Sequence, residues 1–210
     1  MYLLRKHWFD LGGLLAMILI VYIAVNFSTF YLRQLILWVS LLSLFIHQLE
    51  EYRYPGYFPG TVNAVLYKSN QPDRYPLNAQ TSLVVNVVMG WAAYFLAACF
   101  AERFTWLGIA TVLISLGNFA AHTTLFNIKG KTFYNPGMIT AIVLFLPIAV
   151  WYFKTIYPQT HFSDWIIGIP LGVALNYLGI VKLIDWMADR NTTYVFGDRQ
   201  LRPEDRINSK

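Results

Sequence analysis

The run Ser43-Leu44-Phe45-Ile46-His47-Gln48-Leu49-Glu50-Glu51 carries an imidazole and two carboxylates within about one helical turn. On a helix, His47 shares a face with Glu50 (i, i+3) and Glu51 (i, i+4), and Ser43 extends that stripe. Asn118 and His122 repeat the i, i+4 spacing, Asn86 follows Ser82 by one turn, and Tyr134-Asn135-Pro136-Gly137 leads into an apolar run with Thr140 near its start.

Two chemistries fit these residue types. The first is a metal centre. A divalent ion such as zinc, iron or manganese takes imidazole nitrogen and carboxylate oxygen, and a reactive centre uses three protein ligands with one position open. His47 and Glu50 reach one ion from a single helix, and His122 completes the set. Glu51 then serves as a fourth ligand or a general base, and Asn118 as a partner of His122 or a substrate clamp. Zinc-dependent hydrolysis and non-haem iron oxidation suit this set equally. The second chemistry needs no metal. Glu50 and Glu51 share a proton in a low-dielectric pocket, and one of them works as acid or base opposite His122 to isomerise, cyclise or hydrolyse a substrate. Tyr134 donates to a developing oxyanion, while Asn86, Asn118 and Thr140 position the substrate.

The composition says what holds these groups. The chain of 210 residues is 57% hydrophobic, 17% aromatic and 13% charged. Soluble domains carry about 25% charged residues, so a water-soluble globule of this size would lack polar cover. A single cysteine, Cys99, excludes a disulfide scaffold and is expected to pack in apolar surroundings. Six apolar stretches are long enough to cross a bilayer, at about 11–30, 32–50, 81–101, 104–128, 136–157 and 165–184. The fold expected is all-α: a six-helix transmembrane bundle over 1–187 with a cytoplasmic tail from 188 to 210. Residues 51–80, rich in Pro, Tyr and Asn, read as an ordered or interfacial loop. Arg5 and Lys6 precede the first stretch, but no small-residue cleavage pattern comes after it, so it is an anchor and not a secretion signal.

Cation placement gives the direction. Arg33, Arg103 and Lys154 fall on one face of this topology and the other thirteen of the sixteen Lys and Arg residues on the opposite face. Both termini are therefore expected in the cytoplasm, the setting being the cell membrane. The net charge of +5 then calls for no nucleic acid. Asn191-Thr192-Thr193 matches a glycosylation acceptor on the wrong side. His47, Glu50, Glu51, Asn118 and His122 lie at the cytoplasmic ends of helices two and four, at the depth of Asn86, Tyr134 and Thr140 in helices three and five. One site is expected, open toward the cytoplasm. Asn176 is expected to make an interhelical hydrogen bond.

The run HQLEEYRYPG from His47 to Gly56 resembles the signature of the HXXEE-motif integral membrane proteins. The Asn118–His122 pair and Tyr134-Asn135-Pro136-Gly137 with Thr140 are similar to that family's pattern, over roughly residues 35 to 150. The resemblance implies a membrane core built around these motifs, and the family carries no assigned reaction.

Blander readings compete. One histidine at a helix end is more often a satisfied interfacial residue than a ligand, and Glu50 and Glu51 could pair with Arg53 or Lys68 in water. A proton- or ion-coupled transporter could use the same cluster. Against it, Pro147 and Pro170 are not paired between halves, and the polar groups gather at one end. The reading taken is a membrane enzyme whose partners are membrane lipid and a hydrophobic small-molecule substrate.

Overall fold

The computed structural model describes residues 2–206. Lys210, counted above among the cations of the terminal face, lies outside the described residues, as do the other tail residues beyond 206. Six helices are long and apolar enough to cross a membrane: α1 (Leu3–Thr29), α2 (Leu32–Tyr52), α3 (Ala79–Cys99), α4 (Thr105–Gly130), α5 (Met138–Gln159) and α6 (Phe162–Trp186). No strand occurs among the described residues. In lipid every backbone polar group must find its partner within the chain, and uninterrupted helices achieve this segment by segment. The first helix starts well before the apolar stretch read from the sequence, because the charged residues around Arg5 to Asp10 continue its hydrogen-bonded turns beyond the apolar part.

The closest helix pair is α4 with α6. A Cβ on Gly168 would lie 2.8 Å from the Trp106 carbonyl oxygen, and one on Gly172 would lie 3.0 Å from that of Ala110. Small residues one turn apart thus let two backbones meet, which is how helices gain contact where lipid supplies no hydrophobic drive. Asn176 locks the pair: its Nδ2 donates to Leu113 O at 3.1 Å and to Gly172 O at 2.9 Å, the interhelical bond expected of it. At one end of the bundle Arg33 pairs with Glu102 at 2.6 Å and donates to Thr105 Oγ1 at 3.0 Å.

The opposite end is covered by chain. The connection after α2 holds a short helix (Phe58–Thr61) that runs on through a wider π turn (Val62–Leu66). Asn63 ties this loop together, donating to Leu77 O and accepting from Leu77 N. Asn78 caps α3 by accepting from Gln80 N and Thr81 N, and donates to Met187 O beyond α6. The tail then crosses the loop: Ala79 N donates to Tyr194 O, Phe196 N donates to Asp73 O, and the Arg5 guanidinium sits 4.1 Å from the Tyr194 ring centre. The Trp8 ring, near the start of α1, packs 4.7 Å from Tyr52 at the end of α2. Both ends of the described chain therefore gather at this capped end. Cys99, expected to pack, is exposed where α3 ends.

Four of the six helices carry π segments: Val84–Trp91, Ala121–Leu125, Ala141–Phe145 and Tyr177–Lys182. An added residue per turn rotates the downstream part of the helix, and such segments recur at functional sites.

Candidate metal centre

His47, Glu51 and His122 come together beneath the loop, all three buried, with ligand atoms within 4.8 Å of one another. His47 Nε2 lies 3.5 Å and His122 Nε2 3.3 Å from the same oxygen, Glu51 Oε1. The two imidazole rings stand nearly perpendicular, at 87° with centres 5.0 Å apart. Phe145 lies against His47, with ring centres 4.4 Å apart, and Phe58 against His122 at 4.7 Å. The polar group is thus enclosed by aromatic walls.

The far side of each imidazole fixes its tautomer. Asn135 Nδ2 donates to His122 O at 2.8 Å and to Asn127 Oδ1 at 2.8 Å, so its Oδ1 is the atom facing His122 Nδ1 at 2.6 Å. An amide oxygen only accepts, so His122 carries its proton on Nδ1. At His47 the partner is Thr140 Oγ1, 2.8 Å from Nδ1. The Thr140 hydroxyl donates to Glu50 Oε2 at 2.6 Å, so it accepts from His47 Nδ1–H. Both Nε2 lone pairs are then left facing Glu51. Neither Nε2 has a hydrogen-bond partner despite its burial. Three acceptors converge with no donor among them, and a buried arrangement of that kind is met by a shared cation, either a proton or a metal ion.

The donor set suits a divalent metal. Ligand atoms held about 2.0–2.2 Å from zinc at tetrahedral angles stand about 3.4 Å apart, which matches the 3.3 and 3.5 Å separations here. Metal-bound histidine usually donates its other ring N–H to an orienting oxygen, and here the Asn135 amide and the Thr140 hydroxyl supply one to each imidazole.

Glu51, and not Glu50, completes this group. Both share His47's face, but i+3 and i+4 fall on opposite sides of it, and only the i+4 position turns toward α4. Glu50 instead binds the start of α5, accepting from Thr140 N at 2.9 Å, Thr140 Oγ1 at 2.6 Å, Ile139 N at 3.3 Å and Tyr134 OH at 3.1 Å. Tyr134 is accordingly engaged with Glu50 and does not face the metal group. Its burial and the Glu50 carboxylate beside it hold the phenol well above its ordinary range.

Asn118 makes no hydrogen bond to His122, which stands in the π segment Ala121–Leu125: its Nδ2 donates to Ile114 O at 3.1 Å, and the residue lines the cavity beside the group. Asn86 reaches the neighbourhood through a chain of amides: it donates to Tyr52 OH at 3.2 Å and accepts from Gln48 Nε2 at 3.1 Å, while Gln48 Oε1 accepts from Trp91 Nε1 at 2.7 Å. Asn135, Tyr52 and Phe58 went unassigned in the residue pattern. Asn135 was the most accessible of them, since it stands in the motif that leads into α5.

Gly137 is the local condition for all of this. Its φ of +101° is one that side chains rarely adopt, and any Cβ there would collide with the His122 ring.

His47 and Glu51 also form part of the wall of a cavity of about 670 Å³, otherwise lined mainly by apolar residues of α2, α3, α4, α6 and the loop. Phe58, Val62, Leu66 and Leu77 line it at the capped end. Residues of its wall that are also exposed are Leu125 of α4 and Ile169, Val173, Tyr177 and Val181 of α6, all within apolar spans.

Residues 38–152 match the family described as "Protein of unknown function with HXXEE motif". No curated protein and no solved structure matches the chain. The match covers over half of the sequence, including both histidines, Glu50, Glu51 and the Asn135–Gly137 turn, and the chain belongs to this HXXEE family.

Proposed function

We propose that the protein is a membrane-embedded metalloenzyme acting on a hydrophobic, lipid-like substrate, with His47, Glu51 and His122 as ligands of one divalent ion. The observation that carries this reading is the pair of buried, partnerless Nε2 atoms aimed at one carboxylate oxygen. A bound ion of the zinc class supplies a Lewis acid and an activated water at such a centre. The chain's own residues do the rest. Asn135 and Thr140 hold the imidazoles in the ligating tautomer, Glu50 anchors Thr140, and the aromatic walls exclude bulk water. Asn86 and Tyr52, beside Glu51 on the cavity wall, are the groups available to orient a polar part of the substrate. We assign the capped end to the cytoplasm, because twelve of the fifteen described Lys and Arg residues belong to the segments at that end.

The test is elemental analysis of detergent-purified protein beside a Glu51→Gln and a Glu50→Gln variant. About one equivalent of zinc, iron or manganese is expected in the parent, lost in Glu51→Gln and kept in Glu50→Gln. An ion kept by Glu51→Gln would overturn the ligand assignment. No uptake of any of the three ions by the parent would leave the imidazoles and carboxylates as a metal-free acid/base set.

A further inference from the structure

The cavity beside the metal group extends far beyond it. Its α6 wall runs from Ile169 to Ile184, about 22 Å of helix rise. The bilayer's hydrocarbon core is about 30 Å thick, so this length exceeds the depth of one leaflet. At one end stand His47, Glu51, Gln48, Asn86 and Tyr52; away from it, Leu113, Ile169 and Val173 give an apolar wall.

We infer that the cavity binds a long-chain amphiphile with its polar head against Glu51 and its hydrocarbon chain laid along α6, admitted sideways from the bilayer. The inference deepens the proposed function by naming the substrate class, and it rests on that reading for which end of the ligand reacts. Four observations support it. The His and Glu side chains occupy one end of the cavity, and the polar residues further along it, Tyr94, Asn118 and Asn176, are hydrogen-bonded to protein atoms. Its volume lies within the roughly 300–1,000 Å³ of small-molecule sites. The exposed wall residues Val173 (59%), Tyr177 (51%), Ile169 (44%) and Val181 (44%) lie on the membrane-spanning part of α6, and the remaining one, Leu125, on α4. Finally, Gly90 of α3 and Gly179 of α6 leave space free at the cavity wall. A Cβ on Gly179 would meet only Met89 Cε, at 3.4 Å, and one on Gly90 would meet nothing closer than 3.5 Å. Glycine is not demanded at either place by backbone or by close packing; what it preserves is open volume.

The experiment is photolabelling of the full chain in detergent with two diazirine analogues of palmitic acid, one reactive at the chain end and one beside the carboxyl. Adducts are mapped by mass spectrometry. The tail-reactive probe should mark the region of Leu113, Ile169 and Val173, and the head-reactive probe the region of Tyr52, Asn86 and Ile184. Unlabelled palmitate should compete and hexanoate should not. Gly179→Phe, and independently Gly90→Leu, should reduce labelling at least tenfold with metal content unchanged, which also reports that the variant folds. Labels on the outer faces of α1 and α5, indifferent to both variants and to competitor chain length, would overturn the inference. Labelling as expected in a parent that takes up no metal would sustain the chain site and overturn the metalloenzyme reading alone.

Discussion

His122 and Asn135 are joined twice: the imidazole donates through Nδ1 to Asn135 Oδ1 at 2.6 Å, and the Asn135 amide donates back to the His122 carbonyl at 2.8 Å. The second bond decides the first, since it turns the amide so that its oxygen faces the ring. Asn135→Leu should therefore weaken metal binding about 10–100-fold, the usual effect of losing a ligand's orienting partner. Competition against a chelating indicator measures it. Asn135→Asp keeps an acceptor for Nδ1 but sets its other oxygen against the His122 carbonyl and Asn127 Oδ1, so its affinity should fall between the parent and Asn135→Leu; equal loss in both variants would sink the tautomer argument.

Thr140 connects the two carboxylate functions. It accepts from His47 Nδ1 and donates to Glu50. Thr140→Val should lower metal affinity on the same about 10–100-fold scale. It should also cost about 1.5–3 kcal/mol of stability, since a hydrogen bond to a buried charged group is lost. Thr140→Ser should restore both. Thermal unfolding with and without added metal reads the two effects separately; unchanged affinity in Thr140→Val would count against the relay.

Glu50 and Glu51 are adjacent in sequence and divergent in use. Glu50→Gln replaces one acceptor oxygen with an NH2 that faces either Thr140 N or Ile139 N, so the start of α5 should loosen and the melting temperature fall, with the metal retained. In Glu51→Gln the melting temperature should cease to rise with added metal. In the parent, metal at 100 times its dissociation constant should stabilise the fold by about 2.7 kcal/mol. A metal-dependent rise in Glu51→Gln would argue that another group ligates.

Gly137→Ala tests the close approach of backbone to ligand. A methyl group would collide with the His122 imidazole at a φ already unsuited to alanine. Helix content by circular dichroism should survive, carried by the six spans, while metal content falls to background. Full metal occupancy in this variant would contradict the placement of His122.

Gly172→Leu strikes the scaffold and not the centre. The side chain would be driven into Leu113 and the Ala110 carbonyl where α4 and α6 touch, and overpacking of this kind costs about 1–3 kcal/mol. A lowered melting temperature with a normal metal-to-protein ratio is expected. An unchanged melting temperature would mean that the two helices can separate at no cost.

The residue pattern made the spans and the one-ended polar cluster legible, because both depend on quantities that sequence carries directly: length of apolar run and helical periodicity. Asn176 was legible for the same reason, as a polar side chain in lipid has few alternatives to a neighbouring carbonyl. The choice between Glu50 and Glu51 was not. Both satisfy the spacing rule, and what separates them is whether α4 or α5 lies on each side of His47. That Asn118 turns to Ile114 O and not to His122 was not legible either, because i, i+4 arithmetic assumes a regular helix and His122 stands in a π segment. The cover over the site was out of reach as well, since the Phe196–Asp73 and Tyr194–Ala79 bonds join segments over a hundred residues apart with no periodic signal in either.

That cover has a consequence in time. The ligands come from α2 and α4 and their supports from the start of α5, whereas Tyr194 and Phe196 leave the ribosome only after all six helices have been made. During synthesis the residues of the His/Glu group and the loop above them are therefore made before the tail segment that fastens the loop, and the cover is tied down last.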